Sequence, residues 1–193
     1  DVIADLTIDH LEKRDPEKPF LMFCNFKATH EPFDYPERHK DLNKGVHIPE
    51  PKSLFDFGKE TTGRSFKGQV VENLAERWKK AVEDEHFWTT YPGLPYPLEG
   101  LDFVQKRKKI YQKLVKDFLR CGAAIDDNIG KLLDYLETEG IADNTIVIYT
   151  ADQGYFLGEH GFFDKRLIYE ESLRMPFVIR YPKEIQGGTR IDD

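Results

Sequence analysis

The sequence contains one long helical pattern that leads directly into a short β-branched run. Over residues 101–139, apolar side chains recur at helical spacing, which predicts an amphipathic helix. Gly140 follows, at a position where a left-handed residue commonly ends a helix. Residues 144–150 are β-branched and apolar, which favours a buried strand. A helix followed at once by a buried strand is typical of an α/β fold.

Three further segments extend this pattern. Residues 2–11 have the spacing of a helix, which we expect to end before Asp15-Pro16. Residues 19–26 form a short run rich in Phe, which predicts a strand buried on both faces, as in a parallel sheet. Residues 175–181 predict a third strand. We therefore expect an α/β fold with a mixed, mostly parallel sheet flanked by helices.

The middle of the chain carries weaker signals. Residues 28–70 are rich in Pro, Gly, Asp and Lys, which predicts a long ordered loop. We expect residues 28–100 as a whole to form a long loop or insert region ahead of the segment 101–182. A polar helix is compatible with residues 70–88. The aromatic residues near its end either pack on their own domain or form a surface on which a glycan stacks; they are Phe87, Trp88, Tyr91 and Tyr96.

Charge and hydropathy argue against two classes of partner. The chain has 28 basic and 35 acidic residues, a net charge of -7, so we expect no nucleic acid bound through a broad basic face. Its longest apolar run, residues 20–24, is far shorter than the roughly 20 residues that a membrane-spanning helix needs. The sequence therefore predicts neither a nucleic-acid partner nor a membrane span.

Polar residues follow two of the predicted strands. His30 comes shortly after the run 19–26. Asp152 and Gln153 follow the run 144–150. Because ligands of open α/β sheets bind beyond the carboxyl ends of the strands, parallel strands would deliver these side chains to one edge. A carboxylate and an amide oxygen suit calcium or magnesium better than zinc, although a strand-end Asp is also typical of a simple turn.

A glycine-rich loop, residues 154–166, alternates glycines with aromatic and charged residues. No Gly-Lys-Ser/Thr sequence follows these glycines, so the segment is not a nucleotide phosphate loop. Lys165 is a candidate for holding an anionic group as a point charge, although a single lysine is more often solvated. His160 either lines a substrate pocket or only shapes the loop.

Taken in chain order, these segments resemble the C-terminal signature of the type I sulfatases, in the alkaline-phosphatase superfamily. Residues 27–32, Lys-Ala-Thr-His-Glu-Pro, are similar to that family's Lys-Ala-Pro-His-x-Pro segment. The resemblance covers residues 20–32 and 110–182 well and the middle poorly. Its other segments are 134–140, 143–145, 150–154 (Thr-Ala-Asp-Gln-Gly), 158–161 (Gly-Glu-His-Gly), 164–166 (Asp-Lys-Arg) and 169–176 (Tyr-Glu-Glu-Ser-Leu-Arg-Met-Pro).

The resemblance implies that residues 1–193 are part of the catalytic domain of a sulfuric ester hydrolase with an alkaline-phosphatase/sulfatase-like fold. It implies that Asp152 and Gln153 ligate one divalent metal, normally calcium, with magnesium less favoured. It implies that His30 and Lys165 contact the sulfate oxygens during catalysis, with His160 a further substrate-binding candidate. The substrate would be a sulfated carbohydrate or a related sulfate ester, and the location periplasmic, extracellular or lysosomal.

One feature of the family is missing from this sequence. The family's nucleophile is a formylglycine made from a cysteine in a Cys-x-Pro-Ser-Arg motif, which surrounds neither Cys24 nor Cys121. Both cysteines are interpreted as small apolar residues. The pair Asp126-Asp127, inside the long helix, does not replace the family's N-terminal aspartates. Because the chain begins at Asp1 without a signal-peptide pattern, we expect the nucleophile and the missing half of the domain upstream, and no sulfate release by these residues alone.

Two alternatives remain open. One is a phosphodiesterase or phosphonate monoester hydrolase of the same superfamily, although those relatives more often have Asp-His where this chain has Asp152-Gln153. The other is a non-catalytic module that binds a metal or an anionic glycan through the same residues.

Overall fold

The structure is a computed structural model that describes residues 1–56, 68–83 and 97–191. The chain divides into two compact units. Unit 1 comprises Asp1–Lys27, Ala124–Asp152 and Met175–Asp193, and unit 2 comprises Ala28–Ala123 and Gln153–Arg174. The candidate residues His30, Gln153, His160 and Lys165 thus belong to unit 2, and Asp152 belongs to unit 1.

The described residues form three helices, then three strands, and finally a short helix and a fourth strand. The helices are α1 (Val2–Glu12), α2 (Val71–Glu83), α3 (Phe103–Thr138) and α4 (Glu170–Leu173). The strands are β1 (Val147–Thr150), β2 (Phe156–Leu157), β3 (Phe163–Asp164) and β4 (Phe177–Arg180). Among the helices that the structure describes, none combines the length and the apolar character needed to cross a bilayer.

Helix α3 confirms the long helix that the sequence predicts, and Gly140 ends it as predicted. Gly140 has a φ of 67°, in the left-handed region. Its N–H donates to the carbonyl of Glu137 at 3.0 Å, and the N–H of Ile141 donates to the carbonyl of Leu136 at 3.0 Å. These two bonds form a Schellman motif, which satisfies the last carbonyls of the helix. The end of α3 is therefore set by local sequence.

The mostly parallel sheet is not present among the described residues, where both strand pairs are antiparallel. In unit 1, β1 pairs with β4, so that Val147 lies opposite Arg180. In unit 2, β2 and β3 form a short hairpin. A parallel pair requires a crossover and a second strand beside it, and none of the residues described here supplies such a partner to β1.

The sequence also predicts that the strands now found in unit 1 are buried, and for this chain taken by itself that prediction is wrong. Residues 19–26 are assigned to no strand, and the side chains of Leu21 and Phe23 are 83% and 76% exposed. On the β1–β4 ribbon, Ile148 and Val178 are likewise exposed. An apolar run is buried only when other layers cover it, and the described part of unit 1 leaves these side chains uncovered.

Helix α1 is where the sequence predicts it, but only some of its apolar side chains are buried. It buries Ala4, Thr7 and Leu11, whereas Val2 and Leu6 are mostly exposed. The helix therefore packs along a narrower stripe than its apolar residues suggest.

The core of unit 2 connects helix α2, helix α3 and strand β3 to the loop that follows His30. Its members are buried aromatic and aliphatic residues, namely Phe33, Val71, Leu74, Ala75, Trp78, Ile110, Leu114, Cys121 and Phe163. Helix α2 confirms the polar helix predicted within residues 70–88 as far as Glu83. The four aromatic residues suggested as a glycan-stacking surface lie outside the described residues. Because Phe33 and Phe163 share one core, the segments beside them are held close together.

Candidate active site

His30 lies in an exposed turn at the beginning of unit 2. Its Nδ1 lies 2.7 Å from the carbonyl oxygen of Glu31, so the Nδ1–H donates to that oxygen. This bond sets the tautomer and leaves Nε2 as the nitrogen that can meet a ligand. Nε2 can donate to an anion's oxygen only when the ring is protonated. The turn therefore presents a histidine whose orientation depends on the peptide that follows it.

The side chain of Glu31 is bonded to helix α2. Both of its carboxylate oxygens accept from Nη1 of Arg77, at 2.9 and 2.8 Å. The Nη2 of Arg77 donates to the carbonyl of Gly68 at 3.3 Å, and its guanidinium carbon lies 5.1 Å from the ring centroid of Phe163. Arg77 thus contacts both the loop that carries His30 and the strand that leads to Lys165.

Lys165 directly follows β3 and its side chain is 14% exposed. Its Nζ lies 3.6 Å from Oδ1 of Asp164, outside ordinary hydrogen-bond range. Arg166 makes the shorter contact to the same carboxylate, with its Nε 2.6 Å from Oδ2. Because Arg166 provides the hydrogen-bonded partner of the buried Asp164, the charge of Lys165 can also act on another anion.

Tyr155 links the two segments in the interior of unit 2. Its ring centroid lies 6.2 Å from that of Phe33, and the Nζ of Lys165 lies 5.9 Å from the same Tyr155 centroid. Burial raises the pKa of the Tyr155 hydroxyl well above its usual range, and the negative charges of Asp164 and Glu31 raise it further. The two distances show that the loop after His30 and the residue after β3 both lie beside Tyr155.

His160 lies in the turn between β2 and β3, with a left-handed backbone at φ 55°. Its N–H donates to Oγ of Ser53 at 3.1 Å, and its Nε2 lies 3.4 Å from Oε1 of Glu171. Its ring packs against that of Tyr169, with centroids 5.3 Å apart. These contacts favour the interpretation that His160 shapes the loop.

Asp152 and Gln153 follow β1, the first exposed and the second half-buried. The residue after them has to be a glycine, because a Cβ on Gly154 would collide with the backbone oxygens of Glu171 and Arg174. The two side chains offer hard oxygen ligands of the kind that calcium and magnesium prefer. Nowhere in the described ranges do three or more His, Cys, Asp or Glu side chains form a group that could hold a metal. Calcium takes six to eight oxygen ligands, so these two residues could supply only part of its shell, and a metal site at this pair stays a prediction.

The structure brings the segments of His30 and Lys165 together within unit 2. Asp152 belongs to unit 1. The gathering of His30, Asp152, Gln153 and Lys165 around one cation and an oxyanion therefore stays a prediction. Sequence reasoning missed Arg77 and Tyr155. A usable signal was present for Arg77, because a charged residue three positions after Leu74 lies on the apolar side of an amphipathic helix.

Comparison with known proteins identifies the family of this chain. A family model described as Sulfatase matches residues 1–192. The chain therefore belongs to the sulfatase family. It is 36% identical to an N-acetylglucosamine-6-O-sulfatase of Bacteroides thetaiotaomicron, over 98% of this chain and 39% of that protein. It is 28% identical to an arylsulfatase of Clostridium perfringens, over 97% of this chain and 33% of the relative.

Solved structures agree with this assignment. One, described as in complex with its substrate D-glucosamine-2-N,6-O-disulfate, has a TM-score of 0.83 at 34% identity, over 97% of this chain and 44% of its own. A phosphonate monoester hydrolase from Silicibacter pomeroyi, with a TM-score of 0.59 at 19% identity over 93% of this chain and 32% of its own, is similar in fold alone. The chain spans less than half the length of each of these four proteins. The fold is thus of the alkaline-phosphatase/sulfatase type.

Proposed function

We propose that the protein containing this chain is a sulfuric ester hydrolase that removes the 6-O-sulfate of a glucosamine-type sugar. The observation that carries the proposal is that the His30 and Lys165 segments both contact Tyr155. The ring centroid of Phe33, three residues after His30, lies 6.2 Å from the Tyr155 centroid, and the Nζ of Lys165 lies 5.9 Å from it. The sugar class is supported by the 36% identical 6-O-sulfatase. It is also supported by the similar structure that is described with a glucosamine disulfate substrate.

In this proposal His30 and Lys165 bind and orient the sulfate group. The ammonium of Lys165 faces the sulfuryl oxygens, and its positive charge stabilises the negative charge that grows on them in the transition state. Protonated Nε2 of His30 donates to a second oxygen, in the direction that the Nδ1–H bond to Glu31 fixes. The same nitrogen is a weaker candidate for giving a proton to the leaving alcohol.

The metal and the nucleophile of the family complete the proposal. Asp152 and Gln153 would hold one divalent cation, calcium in preference to magnesium, which when bound would polarise the sulfuryl oxygens. The formylglycine would come from a Cys-x-Pro-Ser-Arg segment upstream of Asp1. Cys121 is not a substitute for it, because burial, reinforced by the charge of Asp117, raises the pKa of its thiol to about 12.

The mostly parallel sheet is part of the same proposal. Residues 19–26 and the β1–β4 ribbon carry exposed apolar side chains such as Phe23 and Ile148. The chain also spans only 39% of the 6-O-sulfatase relative. We infer that strands from the rest of that domain pair with these segments and cover them.

The test is a substrate panel with the full-length protein. We expect sulfate release from N-acetylglucosamine 6-sulfate, and a loss of about a hundredfold or more in kcat/KM for Lys165→Met. Asp152→Ala should weaken calcium binding measured by titration calorimetry. The control is Lys44→Met, which removes an exposed lysine paired with Asp41 and should leave the rate unchanged.

Two results would replace the proposal by an alternative. Hydrolysis of a phosphonate monoester without release of sulfate would identify a phosphonate hydrolase. Binding of the sulfated sugar with no turnover, in a protein that lacks the formylglycine motif, would identify a non-catalytic module.

A further inference from the structure

The geometry points to Arg77 as a positioning residue: we propose that it fixes the direction of the His30 imidazole relative to the strand that carries Lys165. The inference rests on the proposed function, because His30 and Lys165 are the sulfate-binding pair of that proposal. Arg77 itself need not touch the substrate.

The first step concerns the ring of His30. His30 is exposed, so packing alone does not hold its side chain. Its ring is held by the 2.7 Å bond from Nδ1 to the carbonyl of Glu31. The direction of Nε2 therefore depends on where the peptide of Glu31 lies.

The second step concerns what holds Glu31. Its side chain is 13% exposed, and both carboxylate oxygens accept from the same nitrogen of Arg77. Hydrogen bonds between charged groups are roughly twice as strong as neutral ones, and this pair is shielded from water more than a surface pair. Two residues further on, Phe33 is fully buried in the core. The peptide of Glu31 is thus anchored through its own side chain and through Phe33.

The third step concerns the other contacts of Arg77. Its guanidinium bonds the carbonyl of Gly68 and lies over the ring of Phe163. The N–H of Phe163 in turn donates to the carbonyl of Gln69 at 2.9 Å. The segment that leads into α2 and the strand that leads to Lys165 are therefore held together, and Arg77 connects both of them to the side chain of Glu31.

Arginine suits this position better than lysine. Its planar guanidinium presents several donors and a flat face at once, whereas the lysine ammonium is a point charge. Arg77→Lys can keep the ion pair to Glu31 but loses the simultaneous contacts to Gly68 and to the face of Phe163. A residue that only stabilises the fold would lower stability when changed and leave the orientation of His30 unaltered.

The experiment uses the full-length protein with Arg77→Met, Arg77→Lys and Glu31→Gln, and with Lys44→Met as a matched control for loss of a cation. Nitrogen-15 NMR of labelled histidine reports whether the proton of neutral His30 resides on Nδ1. We expect the Nδ1–H form to dominate in the wild type and in Lys44→Met, and a mixture of tautomers in Arg77→Met and Glu31→Gln. Addition of inorganic sulfate should change the chemical shift of His30 less in these two variants than in the wild type. The change in Arg77→Lys should be intermediate.

The kinetic readout is kcat and KM for N-acetylglucosamine 6-sulfate. We expect kcat to fall between about tenfold and a hundredfold in Arg77→Met, as for other small misplacements of reacting groups. The variant should still unfold cooperatively, which shows that it is folded. The double variant, Arg77→Met with Glu31→Gln, should have a kcat no lower than that of the slower single variant. The reason is that both changes break the same contact between Arg77 and Glu31. If Arg77→Met does not fold, Glu31→Gln gives the same comparison.

The inference is overturned if the variants keep the wild-type tautomer of His30 and its response to sulfate. It is also overturned if the His30 of the wild type does not respond to sulfate. Failure of the proposed function gives a different result, namely a wild-type protein that releases no sulfate while its His30 tautomer still depends on Arg77.

Discussion

The thiol of Cys121 shows how burial decides the chemistry of a single side chain. It is 1% exposed and lies in the core of unit 2. Burial raises the pKa of the thiol to about 12, whereas a nucleophilic cysteine needs a lowered pKa. Cys24 is half-buried and accepts a hydrogen bond from the hydroxyl of Thr7. Cys121 is therefore a small apolar core residue, as its sequence context predicts.

This burial makes the stability of the fold sensitive to alkaline pH. The pKa of the thiol is about 12 in the folded chain against an ordinary value of 9.0, so the unfolded chain loses its proton first. The free energy of unfolding should therefore fall between about pH 9 and pH 12, by up to about 1.4 kcal/mol per pH unit, and this contribution should be constant below that range. Urea unfolding of wild type and Cys121→Ala at pH 7.5 and pH 11, with a reducing agent present, measures the difference.

The wild type should lose more stability than Cys121→Ala between these two pH values, whatever the variant's stability at neutral pH. Cys24→Ala is the matched control and should behave like the wild type. Equal losses in wild type and Cys121→Ala would contradict the burial of this thiol.

The β2–β3 hairpin depends on glycines at its turn. Gly158 and Gly161 have φ values of 103° and 75°, a region that other residues rarely adopt. A Cβ on Gly161 would lie 2.7 Å from Nη1 of Arg107. Arg107 is buried and bonded to both carboxylate oxygens of Glu72, and it donates to the carbonyl of Leu54 at 3.1 Å. The turn therefore packs directly against the guanidinium of Arg107, whose hydrogen bonds leave it little freedom to move.

Replacement of Gly161 should thus be costly. We expect Gly161→Ala to lower the free energy of unfolding by about 1–3 kcal/mol, because of its backbone strain and the displacement of Arg107. Gly122→Ala is the control, since Gly122 lies within α3 with no neighbour within 4 Å of an added Cβ. Alanine is the better helix former, so this change should raise stability by up to about 1 kcal/mol. Chemical denaturation measures the free energy of unfolding of both variants. Equal changes in the two would contradict the close approach of Gly161 to Arg107.

Across the chain as a whole, unit 1 carries much apolar surface that is open to solvent. The exposed side chains lie on residues 20–23, on the β1–β4 ribbon and beside it, and they include Phe20, Leu21, Phe23, Ile146, Ile148, Phe177 and Val178. A ribbon of two strands is marginally stable without a further layer against it. Large exposed apolar patches mark surfaces that associate with other protein.

We therefore expect the isolated chain of 193 residues to self-associate and to release no sulfate. Sedimentation velocity at several concentrations should show assembly, and the dye ANS should bind this chain more strongly than it binds the full-length protein. Turnover of an aryl sulfate by the isolated chain would contradict the assignment of the nucleophile to an upstream segment. A monomer that binds no dye would contradict the exposure of unit 1.

The sequence by itself determined the features that depend on neighbouring residues. The end of α3 at Gly140 follows from a glycine after an amphipathic pattern, and β1 follows from a β-branched run. His30 and Lys165 were chosen as site residues from the local motifs around them, and their roles stay predictions. Only the tertiary structure decided the antiparallel pairing of β1 and the contacts of Arg77 and Tyr155.

The physical reason is the distance along the chain between interacting groups. Glu31 and Arg77 are 46 residues apart, and no periodicity or capping rule connects them. A strand's pairing partner is likewise set by whichever backbone donors and acceptors lie beside it in space. Local sequence fixes where an element starts and stops, whereas the packing of distant segments decides which surfaces and charges meet.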